Sequence, residues 1–238
     1  MSGHSKWSKV KHQKAVTDAV RAGLFTKAVQ AITLAVREGG GVTDPAGNFK
    51  LRLAIEKARA VNMPKENIDR AIVRAAGLGS SGIETILYEG FGPGGALLLI
   101  EAVTDNRQRT VSAVRNALDS TGGSLGSVGS VGYLFDSVGI IITPKGTASY
   151  DDIVGKALDA GAIDCIEEVD GFVLFTTVST LFSVKASIEA GGISVERSDV
   201  VYRPKSLMAL SGADKAKLDA LVEKLEELGD VHRVFTNV

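Results

Sequence analysis

The sequence predicts an α+β protein with an N-terminal three-helix domain followed by two α+β domains, one of them inserted in the other. Three observations support this fold class. Apolar residues recur at helical spacing up to residue 76, strand-like runs begin near residue 84, and strand and helix signals alternate over residues 133–205. The predicted domains are 1–76 (basic arm and helices), 77–132 with 206–238 (α+β), and 133–205 (inserted α+β).

The first two helices are predicted from apolar spacing and from the signals at their ends. An apolar pattern with a spacing of three to four residues runs from Ala15 to Arg37 and stops at the glycine run 39–41. Asn48 is placed to cap a second helix over residues 49–61, because its side chain can accept a hydrogen bond from the first helical turn.

The third helix is bounded by backbone signals. Asn62 suits a left-handed position after the second helix, because asparagine tolerates that conformation better than most residues. Pro64 suits the first turn of a helix, and Gly77 suits its end. Three short helices after a basic arm therefore fill residues 1–76.

The next part of the chain has the pattern of a β-hairpin followed by a helix. Two strands are predicted around a glycine-rich turn: residues 84–91, the turn 92–95 and residues 96–103. A helix is expected to start at Thr104 or Asp105, where Asp105 and Gln108 resemble a capping box. The glycine- and serine-rich residues 122–132 are predicted to form a loop.

Residues 133–205 show a repeated order of strands and helices. Four strands are predicted at 139–143, 162–168, 172–177 and 194–202, and two helices at 150–160 and 180–190. The resulting order, βαββαβ, is that of a ferredoxin-like domain.

The tail contains a helix with a leucine-rich face over residues 214–228 and a strand over 231–236. We expect this pair to complete the sheet that begins at residue 84, which would make residues 133–205 an insertion.

The composition indicates a globular protein of the cytoplasm. Hydrophobic residues make up 45% and charged residues 23% of the sequence, which is typical of soluble domains. No apolar run approaches the ~18 residues that cross a bilayer, and the basic N-terminus lacks the apolar segment of a secretory signal. The single cysteine, Cys165, excludes an intrachain disulfide and fits a reducing compartment. We therefore expect a cytoplasmic protein with no membrane partner.

Charge is distributed unevenly along the chain. Residues 1–76 hold 14 lysines and arginines against six acidic residues, whereas residues 77–238 hold 13 against 22. A strongly basic segment favours binding to a polyanion such as nucleic acid. The alternative is that the basic part docks on the acidic part of the same chain.

No arrangement of residues typical of an enzyme is evident. The three histidines and one cysteine lack the spacing of zinc ligands. The glycine-rich run 90–95 joins two predicted strands and lacks the lysine and helix of a phosphate loop, which favours a hairpin. The acidic pairs 151–152 and 167–168 are interpreted as solvated edges or as charges at a helix start. We therefore expect no catalytic residues, no metal, no cofactor and no small-molecule substrate.

The candidate nucleic-acid contacts are mainly basic side chains, which release counterions when they bind phosphates. Most lie in the N-terminal arm, where no acid occurs before Asp18: Lys6, Trp7, Lys9, Lys11, His12 and Lys14. Trp7 is predicted either to stack on an unpaired base or to pack against the helical domain. Arg70 and Arg74, four residues apart, lie on one face of the third helix.

Arg107 and Arg109 are further candidates at the start of a predicted helix. Cations are disfavoured at this end of a helix dipole, so their presence suggests a specific purpose. That purpose is either a phosphate contact or an ion pair with the acidic part of the chain.

Several long motifs resemble the YebC family, and together they run in order along the chain from residue 3. They are GHSKW, KHQK, a GGG turn, LRLAIEKARAVNMPKENIDRAI, YEGFGPGG, EAVTDNRQRT and GSVGYLF. The resemblance implies a three-domain, cytoplasmic, non-enzymatic protein of the kind labelled a transcriptional regulator. A mitochondrial relative that activates translation of a cytochrome oxidase subunit implies action on RNA or the ribosome as the alternative.

The sequence therefore predicts a non-enzymatic, nucleic-acid-binding regulator of gene expression, with DNA-dependent transcription as the first interpretation. The alternative is an RNA- or ribosome-associated translational activator. A protein-interaction role of the ferredoxin-like part, supported by fold analogy alone, and a small-ligand sensor or enzyme are the competing classes.

Overall fold

The computed structural model describes residues 18–77, 82–146 and 150–238, with side chains from residue 23 onward. The described residues form two compact units, 18–134 with 206–238 and 135–205. The fold is α+β, as predicted, and the described residues contain two four-stranded sheets. In the described part of the chain, no helix is long and apolar enough to cross a membrane.

Three helices form the first part of the larger unit: α1 (Asp18–Glu38), α2 (Phe49–Ala60) and α3 (Lys65–Gly77). Their shared core contains Ile32, Leu51 and Ala58, which are fully buried. The small alanines in this core allow the helices to approach closely, because they fill little space between the helix axes.

The junction between α1 and α2 depends on Asn48, which is 4% exposed. Its Oδ1 accepts a hydrogen bond from the Leu51 N–H (3.1 Å), as an N-cap does. Its Nδ2 donates to the carbonyls of Ala35 (2.9 Å) and Val42 (3.0 Å), so one side chain joins the end of α1 to the start of α2. The predicted capping role of Asn48 is confirmed.

The turn between α2 and α3 follows the sequence signals with one correction. Asn62 has a positive φ of 58°, as predicted for a left-handed position. Pro64 was predicted in the first turn of the helix, but it precedes α3, and its carbonyl accepts from the Ile68 N–H (3.2 Å). This is the position that flanks a helix, where the missing proline N–H costs nothing.

The α+β part of the larger unit has four strands: β1 (Glu84–Phe91), β2 (Leu97–Thr104), β3 (Ser124–Leu125) and β8 (Val231–Thr236). They pair antiparallel in the order β3-β1-β2-β8, so the last strand completes the sheet begun at residue 84, as predicted. The helices α4 (Arg107–Asp119) and α7 (Gly212–Glu226) share a core with this sheet, in which Leu118 and Leu221 are fully buried.

Two local predictions in this part were wrong. Helix α4 is capped by Asn106, whose side chain accepts from the Arg109 N–H (3.0 Å), rather than by Thr104 or Asp105. The region 122–132 is not only a loop, because β3 pairs with β1 there. The first error concerns side chains one or two residues apart, which apolar periodicity does not distinguish. The second concerns a two-residue strand that forms by pairing with a distant part of the chain.

The second compact unit has strands β4 (Phe135–Pro144), β5 (Asp164–Glu168), β6 (Gly171–Thr176) and β7 (Arg197–Pro204), with helices α5 (Tyr150–Asp159) and α6 (Leu181–Ala190). The strand order β5-β6-β4-β7, antiparallel throughout, confirms the ferredoxin-like topology. β4 begins four residues before the prediction and β7 ends two residues after it, because the two strands pair along this whole length. β7 also begins three residues later than predicted. The domain boundaries predicted at residues 76 and 132 stay predictions.

Candidate nucleic-acid interface

Most of the predicted contacts lie outside the described residues. These are the six residues of the N-terminal arm: Lys6, Trp7, Lys9, Lys11, His12 and Lys14. Their roles stay predictions, and the two interpretations of Trp7 stay open.

Helix α3 presents the candidates Arg70 and Arg74 on its exposed face. The Arg70 Nε donates to the Glu66 carbonyl (3.2 Å), and a terminal nitrogen donates to the Asn67 side chain, so this guanidinium is held along its own helix. Arg74 makes no hydrogen bond or ion pair with another described residue. An exposed guanidinium one turn from another is a geometry that suits two neighbouring phosphates.

The Arg107 side chain is paired with an acidic side chain of the protein. It forms a two-pronged ion pair with the Glu84 carboxylate at the start of β1. The hydrogen bond from Arg107 is the main reason why the pKa of Glu84 lies below its ordinary value, although slight burial opposes this. The carboxylate offsets the unfavourable position of a cation at a helix start, which is the internal ion pair that the sequence left as an alternative.

The Arg109 side chain pairs with two carboxylates, whereas that of Arg107 pairs with one. Its guanidinium donates to Asp230 through Nε (3.1 Å) and Nη2 (2.9 Å) and to Asp105 (2.8 Å). The Asp230 carboxylate also accepts from the Thr110 hydroxyl (2.7 Å). This network ties the start of α4 to the turn before β8, so a phosphate would have to compete with two carboxylates for the Arg109 side chain.

Two further cations were not among the predicted contacts. The side chains of Arg59 and Lys65 line a groove of about 660 Å³ between α2 and α3, and neither side chain makes a hydrogen bond or ion pair with another described residue. Arg52, the neighbouring basic residue on α2, instead donates to the carbonyls of Pro45 and Ala46 (both 3.1 Å). The basic spacing in the sequence does not distinguish these two outcomes, which depend on the path of the loop before α2.

The buried carboxylate Glu89 on β1 has a structural role. It is 8% exposed, and its oxygens accept from the backbone N–H groups of Gly129 (2.7 Å), Val131 and Gly132 (2.8 Å). Burial opposes ionisation, but these hydrogen bonds together hold the pKa of Glu89 below its ordinary value. The glycine- and serine-rich loop is thus folded around one carboxylate.

Burial also shifts the pKa values of His232 and Cys165. His232 on β8 lies beside Gln30 of α1 (Nε2 to Oε1, 3.2 Å), and burial lowers its pKa to about 4. Burial, with Asp164 and Glu167 nearby, raises the pKa of the Cys165 thiol to about 11, so it is protonated at neutral pH. Within the described ranges, no cluster of three metal-ligating side chains occurs.

Comparison with protein families covers almost the whole chain. Residues 5–78 match the TACO1/YebC protein N-terminal domain, and residues 83–238 match the TACO1/YebC second and third domain. The division between the two matches falls between α3 and β1.

Relatives of similar length exist in several bacteria. A probable transcriptional regulatory protein of Thermoanaerobacter pseudethanolicus is 45% identical, with 100% of this chain and 97% of the relative covered. A protein of the same description from Acidithiobacillus ferrooxidans is 44% identical, with 100% and 94% covered. The crystal structure of a conserved hypothetical protein from Aquifex aeolicus has a TM-score of 0.86 at 38% identity, covering 97% of this chain and 95% of that one.

Proposed function

Because the chain belongs to the TACO1/YebC family, we propose that it is a non-enzymatic, cytoplasmic regulator of gene expression that binds nucleic acid through its basic N-terminal region. The relatives at 44–45% identity are named probable transcriptional regulatory proteins, which supports DNA as the first target to test. No small molecule or cofactor is required by this proposal.

The observation that carries the proposal is the contrast between two sets of arginines. Arg107 and Arg109, which lie in the acidic part of the chain, are paired with carboxylates. Arg74, in the basic part, is exposed and makes no polar contact with another described residue, and Arg70 contacts only its own helix. Cations that are not neutralised internally are the ones that can displace counterions from phosphates.

The charge balance supports a contribution of the arm to binding. Residues 1–17 carry four lysines and no acid, while 18–77 carry ten basic and six acidic residues. We infer that the arm and the exposed face of α3 act together on one polyanion, since both have an excess of positive charge. Arg107 and Arg109 are assigned a structural role instead.

RNA is the alternative target, because it offers the same phosphates as DNA. Crosslinking in cells, followed by sequencing of bound DNA and RNA, separates the two. Enrichment of promoter DNA would support transcriptional regulation, and enrichment of ribosomal RNA would support the translational alternative.

A matched control for the crosslinking experiment is a variant with the four arm lysines, Arg70 and Arg74 changed to alanine. Loss of the enriched fragments in this variant is expected. Equal crosslinking of the variant and the wild-type protein would contradict binding through the N-terminal region.

A further inference from the structure

An apolar groove lies between α2 and α3, on a different face of α3 from Arg70 and Arg74. Its lining residues come from the loop before α2, from α2, from the α2–α3 turn and from α3: Thr43, Pro45, Ile55, Arg59, Met63, Lys65, Ile68, Asp69, Ile72, Val73 and Ala76. Its volume of about 660 Å³ is within the range of ligand-binding clefts.

The floor of the groove is part of the helical core, whereas one wall is exposed. Ile55, Met63 and Ile68 are buried beneath it. Val73 is 72% exposed although it belongs to a helix whose other large apolar residues pack inward. A single exposed valine is ordinary, and this one is continuous with the apolar lining of the groove.

The groove face of α3 is distinct from the arginine face. Lys65, Asp69, Ile72 and Ala76 follow helical spacing and line the groove. Given 3.6 residues per turn, Arg70 and Arg74 lie roughly 130° and 170° around the helix from the centre of that row. The groove is therefore available while α3 contacts nucleic acid through its arginines.

The lining favours a peptide over a nucleobase. Unpaired bases bind proteins by stacking on aromatic rings, and among the described residues that line the groove none is aromatic. Aliphatic side chains with one methionine, arranged along two helices, are typical of grooves that receive the apolar face of a helix.

The charges of the groove define the chemistry of that helix. Arg59 and Lys65 are the two cations of the lining and Asp69 is its single acid, which leaves a surplus of positive charge. Both cations lack hydrogen bonds and ion pairs with other described residues. Acidic side chains on the incoming helix would complement them.

We propose that this groove is a docking site for an acidic amphipathic helix of a partner protein, with apolar side chains in the groove and carboxylates paired to Arg59 and Lys65. The site adds a protein partner to the proposed nucleic-acid binding and does not depend on it. A regulator with both surfaces can join a nucleic acid to a second protein.

The test uses the full chain and two synthetic helical peptides. One peptide has leucines at every third or fourth position with glutamates between them, and the other has lysines in place of the glutamates. Fluorescence anisotropy measures affinity, and methyl NMR follows the side chains of Ile55, Ile68, Ile72 and Val73. The acidic peptide should shift these methyl signals and bind at least tenfold more tightly than the lysine peptide.

Variants locate the site. Val73→Glu should weaken the acidic peptide at least tenfold, whereas Val169→Glu, at a similarly exposed valine (76%) outside the groove, should not. The double change Arg59→Glu and Lys65→Glu should reverse the preference to the lysine peptide. An equal charge change at Lys215 and Lys217 on α7 should leave the preference as it is.

Four results would overturn the proposal. The first is equal affinity for both peptides, and the second is the absence of methyl shifts with either peptide. The third is displacement of the acidic peptide by duplex DNA or RNA, with shifts of the same methyl signals. The fourth is concentration-dependent dimerisation that Val73→Glu abolishes. The third would make the groove a nucleic-acid site, and the fourth would make a second copy its occupant. The affinity of Val73→Glu for duplex DNA should equal that of the wild-type protein. This measurement tests nucleic-acid binding separately, so a failure of the groove proposal can be told apart from a failure of the proposed function.

Discussion

Acidification should weaken the contact between α1 and β8 through His232. In the folded protein the imidazole lies beside Gln30 and is partly buried, and burial is the main cause that lowers its pKa from 6.5 to about 4. Lys27, Arg233 and Lys57 also disfavour the imidazolium, while Glu101 favours it. The neutral form of His232 is therefore the one that the fold accommodates.

The size and sign of the effect follow from proton linkage. Because the folded pKa of His232 is below the unfolded value, the unfolded state binds the proton first as pH falls below about 6.5. Stability is then lost between pH 6.5 and pH 4, by about 3 kcal/mol in full and about 2 kcal/mol between pH 7 and pH 5. Above pH 7 His232 is neutral in both states, so it does not contribute to the pH dependence of the free energy of unfolding.

Urea denaturation of the wild-type protein and His232→Gln at pH 7, 6 and 5 measures this effect. Glutamine keeps a hydrogen-bonding group beside Gln30 but does not titrate, and the other two histidines are common to both proteins. The stability difference between wild type and variant should shift by about 2 kcal/mol in favour of the variant from pH 7 to pH 5. A constant difference over this range would refute the reasoning that His232 is held neutral.

Three further predictions concern groups with assigned structural roles. Glu89→Gln should lower the free energy of unfolding in urea by about 2–3 kcal/mol, because an amide cannot accept the three backbone N–H bonds as the carboxylate does; an unchanged value would remove the carboxylate from the account of the loop. Cys165 should react with iodoacetamide at pH 7.5 about 10- to 100-fold more slowly than free cysteine, since its pKa near 11 leaves little thiolate; a rate equal to that of free cysteine would contradict this. Arg109→Ala should lower the urea midpoint more than Arg107→Ala, because it leaves the less exposed Asp230 without its cation, and neither change should alter the salt dependence of nucleic-acid binding.

The architecture was largely predictable because its signals are local. The order of helices and strands, the cap at Asn48 and the left-handed Asn62 follow from periodicity and from residues with special backbone preferences. The short strand β3 was not predictable in this way, because two residues of a glycine-rich stretch pair with β1 only through long-range contacts.

The candidate site was less predictable than the fold. Arg74 and Arg107 are alike as residues in a basic pattern, yet one has no polar contact with another described residue and the other is paired with Glu84. That difference depends on which carboxylate the fold brings close to each arginine. The spacing of residues along one helix does not carry this information. The groove containing Arg59 and Lys65 was missed for the same reason, since it needs the packing of α2 against α3.

The central claim, that the basic N-terminal region binds nucleic acid phosphates, is tested most directly by salt titration of binding to duplex DNA, hairpin RNA and single strands. Each phosphate contact should contribute a log–log slope of roughly −0.9 on duplex DNA. Changing Lys6, Lys9, Lys11 and Lys14 to alanine should flatten the slope by roughly 3 to 4 units, and changing Arg70 and Arg74 should flatten it by roughly 2. A wild-type slope in both variants would contradict the claim.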